Sequence, residues 1–193
     1  MKMIKDKQIL VAADFAGVEL KNAIVDHLEK NGWTVTDIGV KTTDEKNPEM
    51  FHRIGFRVGA KIAEKEFERA LIFCGTGMGI HIAASKCPHV HAAVIESPHA
   101  ALRAITGNNV NVLAMGGHYI GKNLGIEIAD AYLYHNFGDG YEWWPNFYEF
   151  HELAYNELDN FDYETFKANG FTFPNAIDIP LDDCEKPDEL KSR

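Results

Sequence analysis

The chain has 193 residues, 46% hydrophobic and 25% charged, a globular composition with enough length for one full core and an added segment. Its net charge is −10, all of it in residues 138–193, where fourteen acids face four bases, so no part offers the basic face of a nucleic-acid binder. No apolar run is long enough for a membrane span or a secretory leader, and three cysteines without zinc-type spacing argue against a disulfide framework or a structural metal, so a cytoplasmic protein with no cofactor is expected.

Gln8 to Ala13 reads as a first buried strand, and Asp14-Phe15-Ala16-Gly17 as a turn. Val18 to Asn31 has apolar residues at helical spacing (Leu20, Ala23, Ile24, Leu28) and stops at Asn31-Gly32. Trp33 to Gly39 alternates like a strand, Lys41 to Pro48 is a polar surface loop, and Met50 to Lys65 is a second amphipathic helix. The apolar run Ala70-Leu71-Ile72-Phe73 predicts a third strand ending at Cys74, with a helix from Ile80 to Lys86 after it. Val90 to Ile95 is strand four, and Ser97-Pro98 starts a helix with proline in its first turn. Asn111 to Gly117 is strand five, and Ile120 to Phe137 is the last core helix. Strands alternating with helices at this spacing predict an α/β fold, a Rossmann-like three-layer αβα sandwich with a five-stranded parallel sheet and right-handed crossovers.

The composition changes after Gly138-Asp139-Gly140. We therefore expect a domain over residues 1–137 and a C-terminal extension over 138–193, rich in acids and in aromatics (Tyr141, Trp143, Trp144, Phe147, Tyr148, Phe150). In the extension Phe150 to Leu158 reads as helical, Phe171 to Pro174 as extended and Asp182 to Arg193 as frayed. So many aromatics need burial, on a core of their own or on a neighbouring subunit. Alternatively, Tyr141, Trp143 or Trp144 line a ligand pocket.

Phe73-Cys74-Gly75-Thr76-Gly77-Met78-Gly79 is the most informative stretch. It puts a thiol at the C-terminal end of a strand, where open α/β sheets bind ligands, followed by glycines whose backbone N–H groups can approach an anion closely. The spacing is neither the dinucleotide Gly-x-Gly-x-x-Gly nor a phosphate-binding P-loop. Topology brings Asp14, after strand one, to the same sheet edge. A carboxylate beside a thiol suits two-step proton transfer, one group working at carbon and the other at the adjacent oxygens. Thr76 can bond a substrate oxygen, and the amides of residues 75–79 can stabilise an enediolate. Each residue by itself also has a plain structural reading, Cys74 as strand-end packing and Asp14 as a helix cap.

The series as a whole resembles the ribose-5-phosphate isomerase B family, which includes the galactose-6-phosphate isomerase subunits. The matching pieces are Ala12-Ala13-Asp14-x-Ala16-Gly17-x-x-Leu20-Lys21, Cys74-Gly75-Thr76-Gly77-x-Gly79 and Ile82 to Lys86, followed by Asn108-x-x-Asn111-Val112-Leu113-Ala114-x-Gly116 and Ile120-Gly121. The resemblance implies a metal-free aldose–ketose isomerase working through a cis-enediolate. It implies Cys74 as the base moving a proton between C1 and C2, and Asp14 acting at the oxygens. It implies Thr76 with Gly75, Gly77, Met78 and Gly79 as an anion hole, and Asn108 as a sugar contact. It further implies a homodimer or homotetramer whose active sites are shared between chains.

Four departures stand out. Phe15 replaces a histidine, and Gly107 stands where the family has its ring-opening histidine. Gly116-Gly117-His118 replaces a pattern ending in arginine. The phosphate-holding arginines beyond the last core helix have no counterpart in residues 137–142. Arginine binds phosphate bidentately and is not replaced well by a neutral group. A ring-opening acid matters least for a substrate that is already linear. A short or linear sugar phosphate, or a sugar without phosphate, is therefore expected in place of ribose 5-phosphate. Among His81, His99, His118 and His135, the substrate-binding candidate is His118, because it follows a sheet-edge loop. Lys86, Arg103 and Lys122 are candidate anion partners. The rival reading is a non-catalytic sugar-binding or partner subunit of a hetero-oligomeric isomerase.

Overall fold

Successive residues of a strand point to opposite faces of a sheet, and here each face meets its own helices. A computed structural model describes residues 4–174 and 176. After a short 3-10 turn, the core elements are β1 (Gln8–Ala13), α1 (Val18–Lys30), β2 (Thr34–Asp37), α2 (Phe51–Ala63), β3 (Ala70–Cys74), α3 (Met78–Ala84), β4 (Ala92–Val94), α4 (Pro98–Thr106), β5 (Val112–Gly116) and α5 (Lys122–Leu133). All four strand pairings are parallel, in the order β2-β1-β3-β5-β4. This is the expected Rossmann-like three-layer sandwich.

Ile9, Val11 and Ala13 of β1, Leu71 and Phe73 of β3, and Leu113 and Met115 of β5 pack with α1, α4 and α5 through Leu20, Ile24, Ile105 and Ile128. The alternate residues Leu10, Ala12, Ile72, Cys74 and Ala114 pack with α2 and α3 through Ile54, Val58, Ile62 and Ile80. Strands β3 and β5, and β1 after the exposed Gln8, are apolar because both of their faces are buried. Edge strand β2 alternates between exposed and half-buried residues.

The chain steps outward from β1 to β2, then returns past β1 to β3. The connections thus diverge between β1 and β3, which opens a crevice at the C-terminal edge there. Asp14 and Cys74 are the residues at its two sides. Their turns are tightly apposed, since a Cβ on Gly17 would lie 2.6 Å from Phe73 Cβ and 2.9 Å from the Cys74 nitrogen. Gly17→Ala is expected to destabilise the fold by about 1–3 kcal/mol, as overpacking does. A lower urea midpoint at unchanged slope would show it.

Several boundaries differ from expectation. Helix α3 starts two residues early because Gly77, at φ 75°, turns the chain into it. Helix α5 ends at Leu133, not Phe137. There the Arg69 guanidinium takes the carbonyls of Tyr132 and His135, each at 3.0 Å, satisfying acceptors that a helix end leaves open. Strand β4 is only three residues long.

The described residues divide after Phe137 into two compact units. In the second, α6 (Phe147–Asp159) is longer than predicted, and α7 (Tyr163–Ala168) was not foreseen. Asp162 caps α7 by accepting from Thr165 N at 2.8 Å. Tyr141 stacks on Phe147 at 4.6 Å, and Phe147 lies 4.2 Å from the His151 ring. Phe166 meets Phe161, Phe171 and Phe173. Phe171 to Pro174 is not a strand. Phe171 has a positive φ of 61° after Gly170 at 68°, which breaks extended geometry. The stretch read as frayed, Asp182 to Arg193, lies outside the described residues.

Candidate active site

The β1 turn is held by its own aspartate. Asp14 Oδ1 accepts from the N–H groups of Ala16 at 3.0 Å and Gly17 at 3.1 Å, an Asx-type turn. Oδ2 has no protein hydrogen-bond partner among the described residues. Burial holds the Asp14 carboxyl above its ordinary range, against the lowering effects of the Gly17 and Ala16 N–H groups and of the His118 charge. A buried carboxyl shifted in this way, with one oxygen facing a cleft, is suited to proton transfer.

The β3 turn carries the thiol. Cys74 is 5% exposed, and its Sγ accepts from the Gly77 N–H at 3.1 Å. Among the described residues, the N–H groups of Gly75, Thr76 and Gly79 donate to no protein acceptor, which leaves three backbone donors for an anion. The Thr76 hydroxyl accepts from Met78 N at 3.3 Å. The loop after β5 is stitched alongside, with Gly117 N donating to Cys74 O at 2.9 Å and His118 N to Gly75 O at 3.0 Å. This backbone pairing lays the His118 ring against Gly75, in space that a Cβ there would fill.

These turns line one cleft of about 430 Å³, walled by Asp14, Phe15, Cys74, Gly75, Thr76, Gly79 and His118 together with the loop Pro48-Glu49-Met50-Phe51. Among the described residues, no Lys or Arg lines it. Glu49 is balanced by Arg57, whose guanidinium reaches both of its carboxylate oxygens, at 3.0 and 2.6 Å. Phe15 and Met50 are exposed at its rim, 59% and 54% accessible.

The structure brings together seven of the ten residues singled out from sequence. Gly77 sits behind Cys74 as its hydrogen-bond donor, and Met78 is exposed on α3 outside the cleft wall. Asn108 is exposed after α4, where its side-chain amide donates to Arg103 O at 3.3 Å, and it does not line this cleft. His81 contacts Ala92 O and His135 contacts Ala131 O, while His118 alone among the four histidine candidates faces the cleft. Lys86, Arg103 and Lys122 do not line it.

Sequence reasoning missed the segment 48–51, read as surface loop and helix start. Its position after β2, at the same sheet edge, was the available signal. Tyr119 was also missed. Its hydroxyl donates to Thr76 O at 2.5 Å.

The family profile described as Ribose/Galactose Isomerase matches residues 9–142. The chain belongs to this family. It is 38% identical over 137 residues to the 4-deoxy-4-sulfo-D-erythrose isomerase of a Clostridium species, covering 71% of this chain and 85% of that one. It is 36% identical over 132 residues to the D-erythrulose-4-phosphate isomerase of Pectobacterium atrosepticum, covering 68% and 86%. Among solved structures, Clostridium thermocellum ribose-5-phosphate isomerase B superposes with a TM-score of 0.68 at 29% identity, covering 84% of this chain and 99% of that one. The protein is accordingly an enzyme of the aldose–ketose isomerase class.

Proposed function

We propose that this isomerase interconverts the aldose and ketose forms of a short, linear sugar through a cis-enediolate, with Cys74 as the base. The observation that carries this reading is the shared cleft. It holds the Cys74 thiol, the Asp14 carboxyl and three unengaged backbone N–H groups at one crevice of the sheet.

In the aldose-to-ketose direction, the Cys74 thiolate removes the C2 proton. The C–H electron pair becomes the C1=C2 double bond, and negative charge moves to O1. The N–H groups of Gly75, Thr76 and Gly79 stabilise that charge as it develops. Asp14 delivers a proton to O1 and accepts one from O2. The Cys74 thiol then returns its proton to C1, leaving the C2 carbonyl of the ketose. The step is redox-neutral and needs no added reactant. Thr76 and His118 position the substrate oxygens, and Phe15 covers its carbon face.

Three features support a short substrate. Gly107 offers no ring-opening acid, and a tetrose carrying a terminal phosphate or sulfonate cannot close a ring through that terminus. Among the described residues, the cleft wall has no Lys or Arg to hold ribose 5-phosphate. Two of the relatives act on four-carbon sugars, by their names. Asn108 completes the site of a second copy in a homodimer or homotetramer, as the family resemblance implies. Residues 1–137 form the isomerase domain and 138–193 an appended unit. No helix among the described residues is long and apolar enough to cross a membrane, and a cytoplasmic enzyme is the reading we adopt.

The test is a panel of four- to six-carbon sugars bearing phosphate, sulfonate or neither, read by product formation and solvent-deuterium incorporation. We expect kcat/KM for the best four-carbon substrate to exceed that for ribose 5-phosphate by about 10²-fold, the scale on which a lost polar anchor discriminates. Comparable activity on ribose 5-phosphate would sink the short-substrate reading. A folded protein that binds a sugar but turns over none would favour a partner-subunit role, to which Phe15 and Gly107 already lend some support.

A further inference from the structure

We propose that Tyr119 is the positioning residue for Cys74, acting through the peptide unit that joins Thr76 to Gly77. This rests on the reading of Cys74 as the base. In a planar trans peptide the C=O and the N–H point in opposite directions. Here the Thr76 carbonyl accepts from the Tyr119 hydroxyl at 2.5 Å. The Gly77 N–H of the same unit donates to Cys74 Sγ at 3.1 Å. Holding the carbonyl therefore aims the N–H. A hydrogen bond to the carbonyl also polarises the peptide and strengthens its donor end.

This peptide needs an external hold. Gly77 lies at φ 75°, and a glycine adopts either sign of φ readily, so rotation of the unit meets little local resistance. A rotated unit would turn its carbonyl oxygen toward the sulfur and remove the donor. Tyr119 is itself well anchored. Its ring lies against Gly116, where a Cβ would come 2.6 Å from the hydroxyl oxygen. Ile120 N donates to Gly116 O at 3.0 Å, and the preceding residues are bonded to Cys74 O and Gly75 O.

The hydroxyl keeps its proton. Burial pushes the Tyr119 phenol up, and the charges of Glu96 and Cys74 add to this. The ionisable groups of this neighbourhood are Asp14 after β1, Glu49 before α2, Cys74 after β3, Glu96 after β4, and His118 and Tyr119 after β5.

The test compares wild type, Tyr119→Phe and Glu96→Gln in two readouts. The first is the rate of Cys74 alkylation by iodoacetamide against pH, assigned to Cys74 by peptide mass spectrometry and independent of any substrate. The second is turnover of the best sugar in the panel. For Tyr119→Phe, with native circular dichroism, we expect the alkylation midpoint to move to higher pH. We also expect kcat to fall about tenfold, with KM changed less than about twofold, as for a misaligned catalytic group. Glu96→Gln should leave the alkylation profile as in wild type, because the Thr76 contact remains. A Tyr119→Phe protein matching wild type in both readouts overturns the proposal. So does a Glu96→Gln shift as large as that of Tyr119→Phe, which would show the phenol proton serving Glu96. A moved alkylation profile in a protein that turns over no sugar upholds the Tyr119 contact while removing the isomerase reading.

Discussion

Cys74→Ala is expected to lower turnover by about 10²–10⁴-fold, the contribution typical of a positioned acid or base, while KM and the fold stay close to those of wild type. Cys74 contributes one small side chain to the α2/α3 face of the sheet, and alanine keeps its Cβ. The cleft keeps its backbone donors, since Gly75, Thr76 and Gly79 present N–H groups that do not depend on the sulfur. Binding therefore survives and proton transfer at carbon does not. Solvent-deuterium incorporation separates this outcome from a slow product release, because the exchange itself is lost. A Cys74→Ala enzyme with wild-type exchange would remove the thiol from the mechanism.

Asp14→Asn is expected to cost activity and to gain stability. Asparagine keeps an oxygen for the Ala16 and Gly17 N–H groups but cannot move a proton between O1 and O2. Turnover should fall by about 10²–10⁴-fold. The stability effect has a definite pH dependence. Burial raises the Asp14 carboxyl in the folded protein, while the unfolded chain ionises it at its ordinary value. Between those two values the folded state holds a proton that the unfolded state has released. Wild-type stability therefore falls as pH rises through that interval and stays lower above it. The asparagine variant lacks this loss. Its melting temperature should exceed that of wild type at about pH 7, with the difference vanishing below about pH 3, where the carboxyl is protonated in both states. A variant less stable than wild type at neutral pH would show that ionised Asp14 is a net stabilising element of its turn.

The core strands were legible because a doubly buried parallel strand reads as an uninterrupted apolar run. Gln8 to Ala13 and the run ending at Cys74 have the predicted limits for that reason. Short strand β4 and the end of α5 were less legible, since they depend on partners distant in sequence. Ile95 N bonds to Ala114 O, and Arg69 closes the last turn of α5. In the extension, helix α7 is six residues long with no buried side chain, so periodicity carried no signal for it.

The sequence by itself determined the α/β class, the parallel sheet and the family, and it named Asp14 and Cys74 as neighbours. Alternation of apolar runs and amphipathic stretches specifies layers, and strand ends specify an edge. Only the tertiary structure decided which groups face one another across that edge. It moved Asn108 away from the cleft of its own chain, set the His118 ring, already the sequence candidate, against Gly75 at the cleft, and brought Pro48 to Phe51 in as a wall. It also placed the Tyr119 hydroxyl on the peptide that points at the sulfur. The Tyr119–Thr76 bond joins residues 43 positions apart, and such contacts depend on loop geometry and hydrogen-bond direction, which no local pattern of residues encodes.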